Sequence, residues 1–134
     1  GPSHASYANY KGTSALSEPE SKALADLANS ANWTMTISYH SMGNLVYWDF
    51  AGNKVAEQSK ALAELVTGIT GYRINRSSGK GGFKDYVQIK DSPIPSLTIE
   101  VGSVACPMPV SEFGNVWNSN QSILAALAAY AADH

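Results

Sequence analysis

The sequence has one cysteine, Cys106, so an intrachain disulfide framework is impossible. Its three histidines are His4, His40 and His134, and the first and last lie near the termini. A self-contained metal centre built from several histidines is therefore hard to assemble. Charge is also sparse. Only 15% of the 134 residues are charged, Lys+Arg 9 against Asp+Glu 11, for a net charge of −2. There is no basic block, which argues against nucleic acid as a partner. No apolar run approaches the ~18 residues needed to cross a bilayer, so no membrane partner is expected. The opening stretch, GPSHASYANYKG, does not itself show the charged and then apolar pattern of a signal peptide.

What is present suits a folded chain. The hydrophobic share is 44%, enough for a core and unlike the composition of a disordered segment. The length suits one domain or part of a larger one. Residues 1–16 are rich in Gly, Ser, Ala and Tyr without period and read as a surface segment, leaving 17–134 as the α/β portion. Ser17-Glu18-Pro19-Glu20 reads as a helix start, with Ser17 as cap and Glu20 completing a capping box. That helix should reach about Asn29, with Leu24, Leu27 and Ala28 on its buried face.

Trp33 to Tyr39 alternates Met35, Ile37 and Tyr39 with polar residues and predicts a strand, after which His40 to Gly43 follow. Leu45 to Phe50 predicts a second, short strand. Asn53 to about Thr70 predicts a helix with Val55, Ser59, Leu62, Val66 and Ile69 in one stripe, stopped by Gly71. A strand over Tyr72–Ile74 and a flexible loop over Ser77–Gly82 come next. A short helix over Phe83–Asp91 leads to a strand over Ser96–Val101. Cys106-Pro107-Met108-Pro109 reads as a rigid turn. Ser111 to Ala132 predicts helix, or a short turn and then helix. Strands alternating with helices indicate an α/β fold with a mixed, largely parallel sheet and flanking helices.

In open α/β sheets, ligands gather outside the carboxyl ends of the strands. His40 and Glu100 are placed at two such ends. A neutral histidine there can serve as a zinc ligand. Equally, it can be a structural residue bonded to a loop. A carboxylate at a half-apolar strand end suits general-base work on a metal-activated water. It can also simply face solvent or pair with a lysine such as Lys90. Cys106 has no evident base beside it, so a nucleophilic role has little support. The SSGKGG loop lacks the P-loop spacing. Trp33, Trp48 and Trp117 read as core and groove packing rather than a carbohydrate platform.

Four segments, in order, resemble the zinc carboxypeptidase family of the carboxypeptidase A and T type. They are Ser17-Glu18-Pro19-Glu20, Ser38-Tyr39-His40-Ser41-Met42-Gly43, Gly81-Gly82-Phe83-Lys84-Asp85-Tyr86 and Leu97-Thr98-Ile99-Glu100-Val101-Gly102. The phrase HSMGNLVYW and the CPMP turn resemble the bacterial branch that acts on γ-D-glutamyl-diaminopimelate links of cell-wall peptides. The resemblance implies a partial carboxypeptidase fold, the C-terminal half of the family's domain. It implies that His40 is the last of three zinc ligands and that Glu100 is the general base acting on the zinc-bound water. It places Ser41 and Lys84 near the substrate, with the Lys84 cation favouring an anionic or zwitterionic side chain such as that of diaminopimelate. It also implies a peptide or peptidoglycan stem peptide as partner, and an extracellular or cell-wall location.

The resemblance breaks in three places. No His-x-x-Glu, the family's source of its first two zinc ligands, is present: His4 is followed by Tyr7 and His40 by Gly43 at that spacing. The substrate-binding Arg-Asn segment is absent, since Arg73 and Arg76 lie in another region. The mobile tyrosine expected before the glycine pair is missing from RSSGK. Tyr72, further upstream, is the candidate for that role, against its reading as a strand residue packed on the sheet. One histidine does not hold zinc firmly, so the chain by itself is expected to bind no catalytic zinc and to be inactive or nearly so. A non-catalytic module that binds peptide, peptidoglycan or a partner protein is the alternative. An uncovered sheet edge invites pairing, either as a homodimer or with the missing N-terminal half.

Overall fold

The computed structural model describes residues 12–77, 79 and 81–134. Most of the surface segment expected over 1–16 lies outside them, as do two positions of the SSGKGG loop. The chain divides into two compact units, one ending at Trp33 and the other running from Thr34 to His134.

The first unit contains α1, Pro19–Asn29. Proline is tolerated in a first turn because its missing N–H would be unpaired there anyway. The capping box does not form. Glu18 is the N-cap residue without a side-chain cap bond, and the Ser17 hydroxyl donates to Glu18 Oε1 at 2.9 Å instead. Of the expected face, Ala28 is buried, together with Ala25, while Leu24 and Leu27 are exposed.

The second unit is built on a four-stranded sheet in the order β1-β4-β2-β3. These strands are β1 (Thr36–Ser41), β2 (Leu45–Tyr47), β3 (Arg73–Asn75) and β4 (Ser96–Val101). The pairs β1–β4 and β2–β3 are parallel, and β2–β4 is antiparallel, so the sheet is mixed. The β-branched and aromatic residues of TISYHS and SLTIEV suit a pleated surface. Several strand ends differ from expectation: β1 begins at Thr36 rather than Trp33, and β3 covers Arg73–Asn75 rather than Tyr72–Ile74. β1 runs through His40 to Ser41 rather than ending at Tyr39, because each of its residues through Ser41 has a partner on β4. β2 stops at Tyr47, three residues before Phe50.

The remaining helices are α2 (Ala56–Thr70), α3 (Phe83–Ile89), α4 (Phe113–Asn120) and α5 (Ile123–Asp133). A 3-10 turn over Val110–Glu112 precedes α4. Asn53 lies before α2 rather than in it, its Oδ1 accepting the Val55 N–H at 2.9 Å as in an Asx turn. Gly71 ends α2 at φ +73°, a left-handed conformation that favours glycine. The core joins Leu62, Ala63 and Val66 of α2 to Ile123 and Leu127 of α5. It continues through Val46 of β2 and Leu97, Ile99 and Val101 of β4. Ile69, expected in the α2 stripe, is partly exposed instead.

Side chains alternate across a strand. On β4, Leu97, Ile99 and Val101 therefore enter the core with α2 and α5. Ser96, Thr98 and Glu100 point to the other face, where α3 packs.

Candidate active site

The strand register creates the site. His40 lies directly opposite Glu100, and Ser38 opposite Thr98, across the parallel β1–β4 pair. On the other side of β4, Tyr47 lies opposite Thr98 across the antiparallel β2 pair. Directly opposed residues share a face and come close enough to interact. Ser38, His40, Tyr47, Thr98 and Glu100 thus line one cavity of about 360 Å³, which Gly82, Lys84 and Asp85 at the start of α3 help to enclose. The histidine and the carboxylate both sit in the C-terminal halves of their parallel strands, where open α/β sheets gather ligands.

Inside the cavity, Glu100 Oε2 is buried and has no hydrogen-bond partner among the described residues. A buried carboxylate oxygen without a partner is costly, so it marks a place where a further group completes the structure. Beyond His40 and Glu100 the chain turns: the Ser41–Met42 peptide is cis, and the Gly43 N–H donates to Gly102 O at 2.7 Å, tying the two strand ends together.

Lys84 and Asp85 are buried, each 5% exposed. The Lys84 ammonium donates to the Asp85 carboxylate, to Asp49 O at 2.8 Å and to Gln88 Oε1 at 3.4 Å. Gln88 has no solvent exposure. Its Nε2 donates to Trp48 O at 2.8 Å and to Ser96 O at 3.0 Å. It also reaches Ser59 Oγ at 3.3 Å. This network joins α3 to β2, α2 and the start of β4. At its margin, Arg76 donates to Asp49 Oδ2 through Nη2 at 2.6 Å and through Nε at 3.0 Å. Burial works to raise the Asp49 pKa. Hydrogen bonds from Arg76, Asn53 and the Phe50 backbone, with the Arg76 charge, outweigh it and hold the carboxyl below its ordinary value.

The fold therefore brings together three of the five residues singled out in the sequence: His40, Glu100 and Lys84. Ser41 follows His40 but does not line the cavity; its Oγ lies 3.7 Å from Cys106 Sγ. Tyr72 lies elsewhere, its hydroxyl accepting a bond from Asn120 Nδ2 at 2.9 Å while its ring packs against the core. Ser38, Tyr47 and Thr98 were not singled out, although period-2 alternation from His40 and Glu100 already puts Ser38 and Thr98 on the same face. Gln88 was missed as well; its spacing from Lys84 within α3 was the available signal.

Comparison with known proteins decides the family. Residues 2–122 match the zinc carboxypeptidase family model. The chain belongs to the zinc carboxypeptidase family. It is similar to the γ-D-glutamyl-L-diamino acid endopeptidase 1 of Lysinibacillus sphaericus, 33% identical over 119 residues, covering 88% of this chain and 30% of that protein. It is also similar to the uncharacterized protein YqgT of Bacillus subtilis (strain 168), 26% identical over 125 residues, covering 92% of this chain and 33% of that protein. The fold resembles the crystal structure of carboxypeptidase A from Helicoverpa armigera, with a TM-score of 0.63 and 19% identity over 90% of this chain and 36% of that one. The chain spans about a third of the length of these relatives.

Members of this family are zinc enzymes, and the cavity fits part of a zinc centre. His40 supplies one imidazole, and the unpaired Glu100 oxygen lies in the same cavity. No group of three His, Cys, Asp or Glu that could hold a metal occurs among the described residues. The donor set present here is therefore a fraction of what a catalytic zinc requires.

Proposed function

We propose that this zinc carboxypeptidase-family chain carries the last metal ligand, His40, and the general base, Glu100, of a peptidase that hydrolyses amide bonds in bacterial cell-wall stem peptides. The reading rests chiefly on the direct opposition of His40 and Glu100 across β1 and β4, with Glu100 Oε2 lacking a hydrogen-bond partner among the described residues.

When bound, zinc supplies a Lewis acid for the scissile carbonyl and for the negative charge that develops on its oxygen. The chain's own residues do the rest. The His40 imidazole would be one of the groups that hold the metal. Glu100 takes a proton from the attacking water as the new C–O bond forms. As the C–N bond breaks, Glu100 delivers that proton to the leaving amine.

One relative supports the substrate class within this proposal. The buried Lys84–Asp85 ion pair lines the same cavity as Glu100. The Lysinibacillus sphaericus relative is named for action at a γ-D-glutamyl-L-diamino acid link. An extracellular or cell-wall location is part of the same proposal. A second reading, a non-catalytic module that binds the same peptides, draws on the incomplete donor set.

The test compares the chain alone with the chain joined to the upstream part of a family domain. Zinc is read by elemental analysis and hydrolysis with γ-D-glutamyl-diaminopimelate peptides. Alone, the chain should hold far less than one zinc and cleave little. Joined, it should hold about one zinc and cleave, and Glu100→Gln should cost 10²–10⁴-fold in rate, on the order expected for a lost general base, with zinc retained. Full zinc on the chain alone, or cleavage indifferent to Glu100→Gln, overturns the assignment. Zinc-free binding of the peptides by the joined form would favour the module reading.

A further inference from the structure

β3 lies at the far side of the sheet from β1, and among the described strands its only neighbour is β2. The β2–β3 pair is parallel. The Arg73 N–H donates to Asn44 O at 3.1 Å, and Asn75 O accepts from the Trp48 N–H at 3.3 Å. Successive residues of a strand turn their peptide groups to opposite sides. Arg73 and Asn75 therefore bond toward β2, and Ile74 between them turns its N–H and C=O outward. Such an edge invites further pairing unless it is guarded, commonly by charged side chains. The two nearby arginines are engaged elsewhere. Arg73 Nη2 donates to Gly43 O at 3.3 Å. Arg76 is bonded to Asp49 and lies over the Trp48 ring at 5.5 Å. Ile74 itself is 41% exposed.

Beside this edge is an open hollow of about 510 Å³. Trp48, Tyr72 and Ile74 form its apolar part, and α2 adds Lys60, Glu64 and Gly68. A Cβ at Gly68 would meet no other described atom within 4 Å, so another chain can approach closely there. Lys60 and Glu64 are exposed and one helical turn apart, with 3.8 Å between their charged atoms. An apolar strip is thus flanked by both signs of charge, the pattern that a copy of itself complements.

We infer that the outer edge of β3 is the two-fold interface of a homodimer, in which two sheets join edge to edge. A lone outward peptide unit is self-complementary across a two-fold axis. Each Ile74 N–H donates to the Ile74 carbonyl of the other copy, as in the hydrogen-bonded pair of an antiparallel ladder. The same axis brings the two Ile74 side chains together and runs the two α2 helices antiparallel, so that each Lys60 faces the other copy's Glu64. The interface is isologous, the commonest kind in soluble oligomers. It lies on a different edge from the candidate active site and does not depend on the zinc reading of His40.

The test follows the sedimentation of the purified chain from low to high micromolar concentration. A reversible dimer is expected, with a dissociation constant of about 1 μM to 1 mM, as suits a small interface. Ile74→Pro removes the outward N–H and leaves the bonds of Arg73 and Asn75 to β2, a place where an edge strand tolerates proline. It should weaken the dimer about tenfold or more, with the circular dichroism spectrum unchanged. If that spectrum is lost, Ile74→Lys takes its place, since it sets like charges together at the axis. Lys60→Glu and Glu64→Lys should each weaken the dimer about 2–30-fold at low salt, and the two reversals together should restore it. Leu124→Glu, on the opposite side of the sheet, should have no effect. A monomer at every concentration overturns the inference. So does a dimer that Leu124→Glu dissociates while the Ile74 variants do not, because the seam is then elsewhere. A dimer that the Ile74 variants break but the charge reversals leave unchanged overturns the pairing of Lys60 with Glu64 and the antiparallel arrangement with it.

Discussion

The two faces of β4 are made by one six-residue strand and do opposite work. Leu97, Ile99 and Val101 enter the apolar core with α2 and α5. Ser96, Thr98 and Glu100 face α3 and the cavity. The apolar face is held by burial, which is non-directional and tolerant of small shifts. The polar face is held by directed bonds, in which Ser96, Ser59, Gln88 and Lys84 satisfy one another. Glu100 is the exception, with one oxygen unpaired. The difference teaches where stability and chemistry reside. The first face stabilises the fold, and the second holds a buried carboxylate oxygen without a partner among the described residues, at some cost in stability.

The largest effect should come from the apolar face. Leu97→Ala removes a fully buried side chain and should cost about 2–5 kcal/mol in urea denaturation, as large-to-small core changes do. A cost below 1 kcal/mol would mean that the core carries less of the fold than its burial suggests.

Next comes the polar face. Gln88→Ala strands the Trp48 and Ser96 carbonyls in a buried site and should cost about 1–3 kcal/mol, since each unmet buried polar group has a penalty of that order. It should also loosen Lys84, read as faster amide exchange in α3. Equal effects for Gln88→Ala and a surface substitution in α3 would break the contrast between directed and non-directed packing.

A smaller, pH-dependent effect belongs to Asp49. Its carboxyl pKa is lowered in the folded state. The stability it contributes is therefore present above the ordinary carboxylate value and is lost as pH falls through the lowered one. Arg76→Gln removes the main partner and should flatten that part of the acid-unfolding curve. Parallel curves for the two proteins between about pH 5 and pH 2, around the ordinary carboxylate value, would refute the pairing.

The smallest stability change should fall on Glu100. Glu100→Gln replaces a carboxylate whose Oε2 makes no bond among the described residues. Stability should move by less than about 1 kcal/mol. The same change should slow hydrolysis by about 10²–10⁴-fold in the completed domain. A large loss of stability would place Glu100 with the structural residues rather than the reactive ones.

Much of the architecture was legible because it is local. Period-2 alternation in SLTIEV marked β4 to the residue, and Gly71 marked the end of α2. Errors arose where a neighbour overrode a local preference. The capping box of Ser17 and Glu20 lost to a Ser17–Glu18 contact. Leu24 and Leu27 face solvent because the smaller Ala25 and Ala28 make the buried side of α1. β1 extends through His40 because β4 offers partners that far. The cavity was half legible. His40, Glu100 and Lys84 came from motifs, whereas Gln88 and Ser59 meet only because α2 and α3 pack on opposite faces of the sheet's end.

The sequence by itself determined the family and the α/β class, because motif order and side-chain alternation are properties of the linear chain. Only the tertiary structure decided that His40 and Glu100 stand opposite each other, since their pairing depends on the register of two strands far apart in sequence. It also decided that Tyr72 belongs to another surface, because strand order, not chain order, sets which side chains share a cavity.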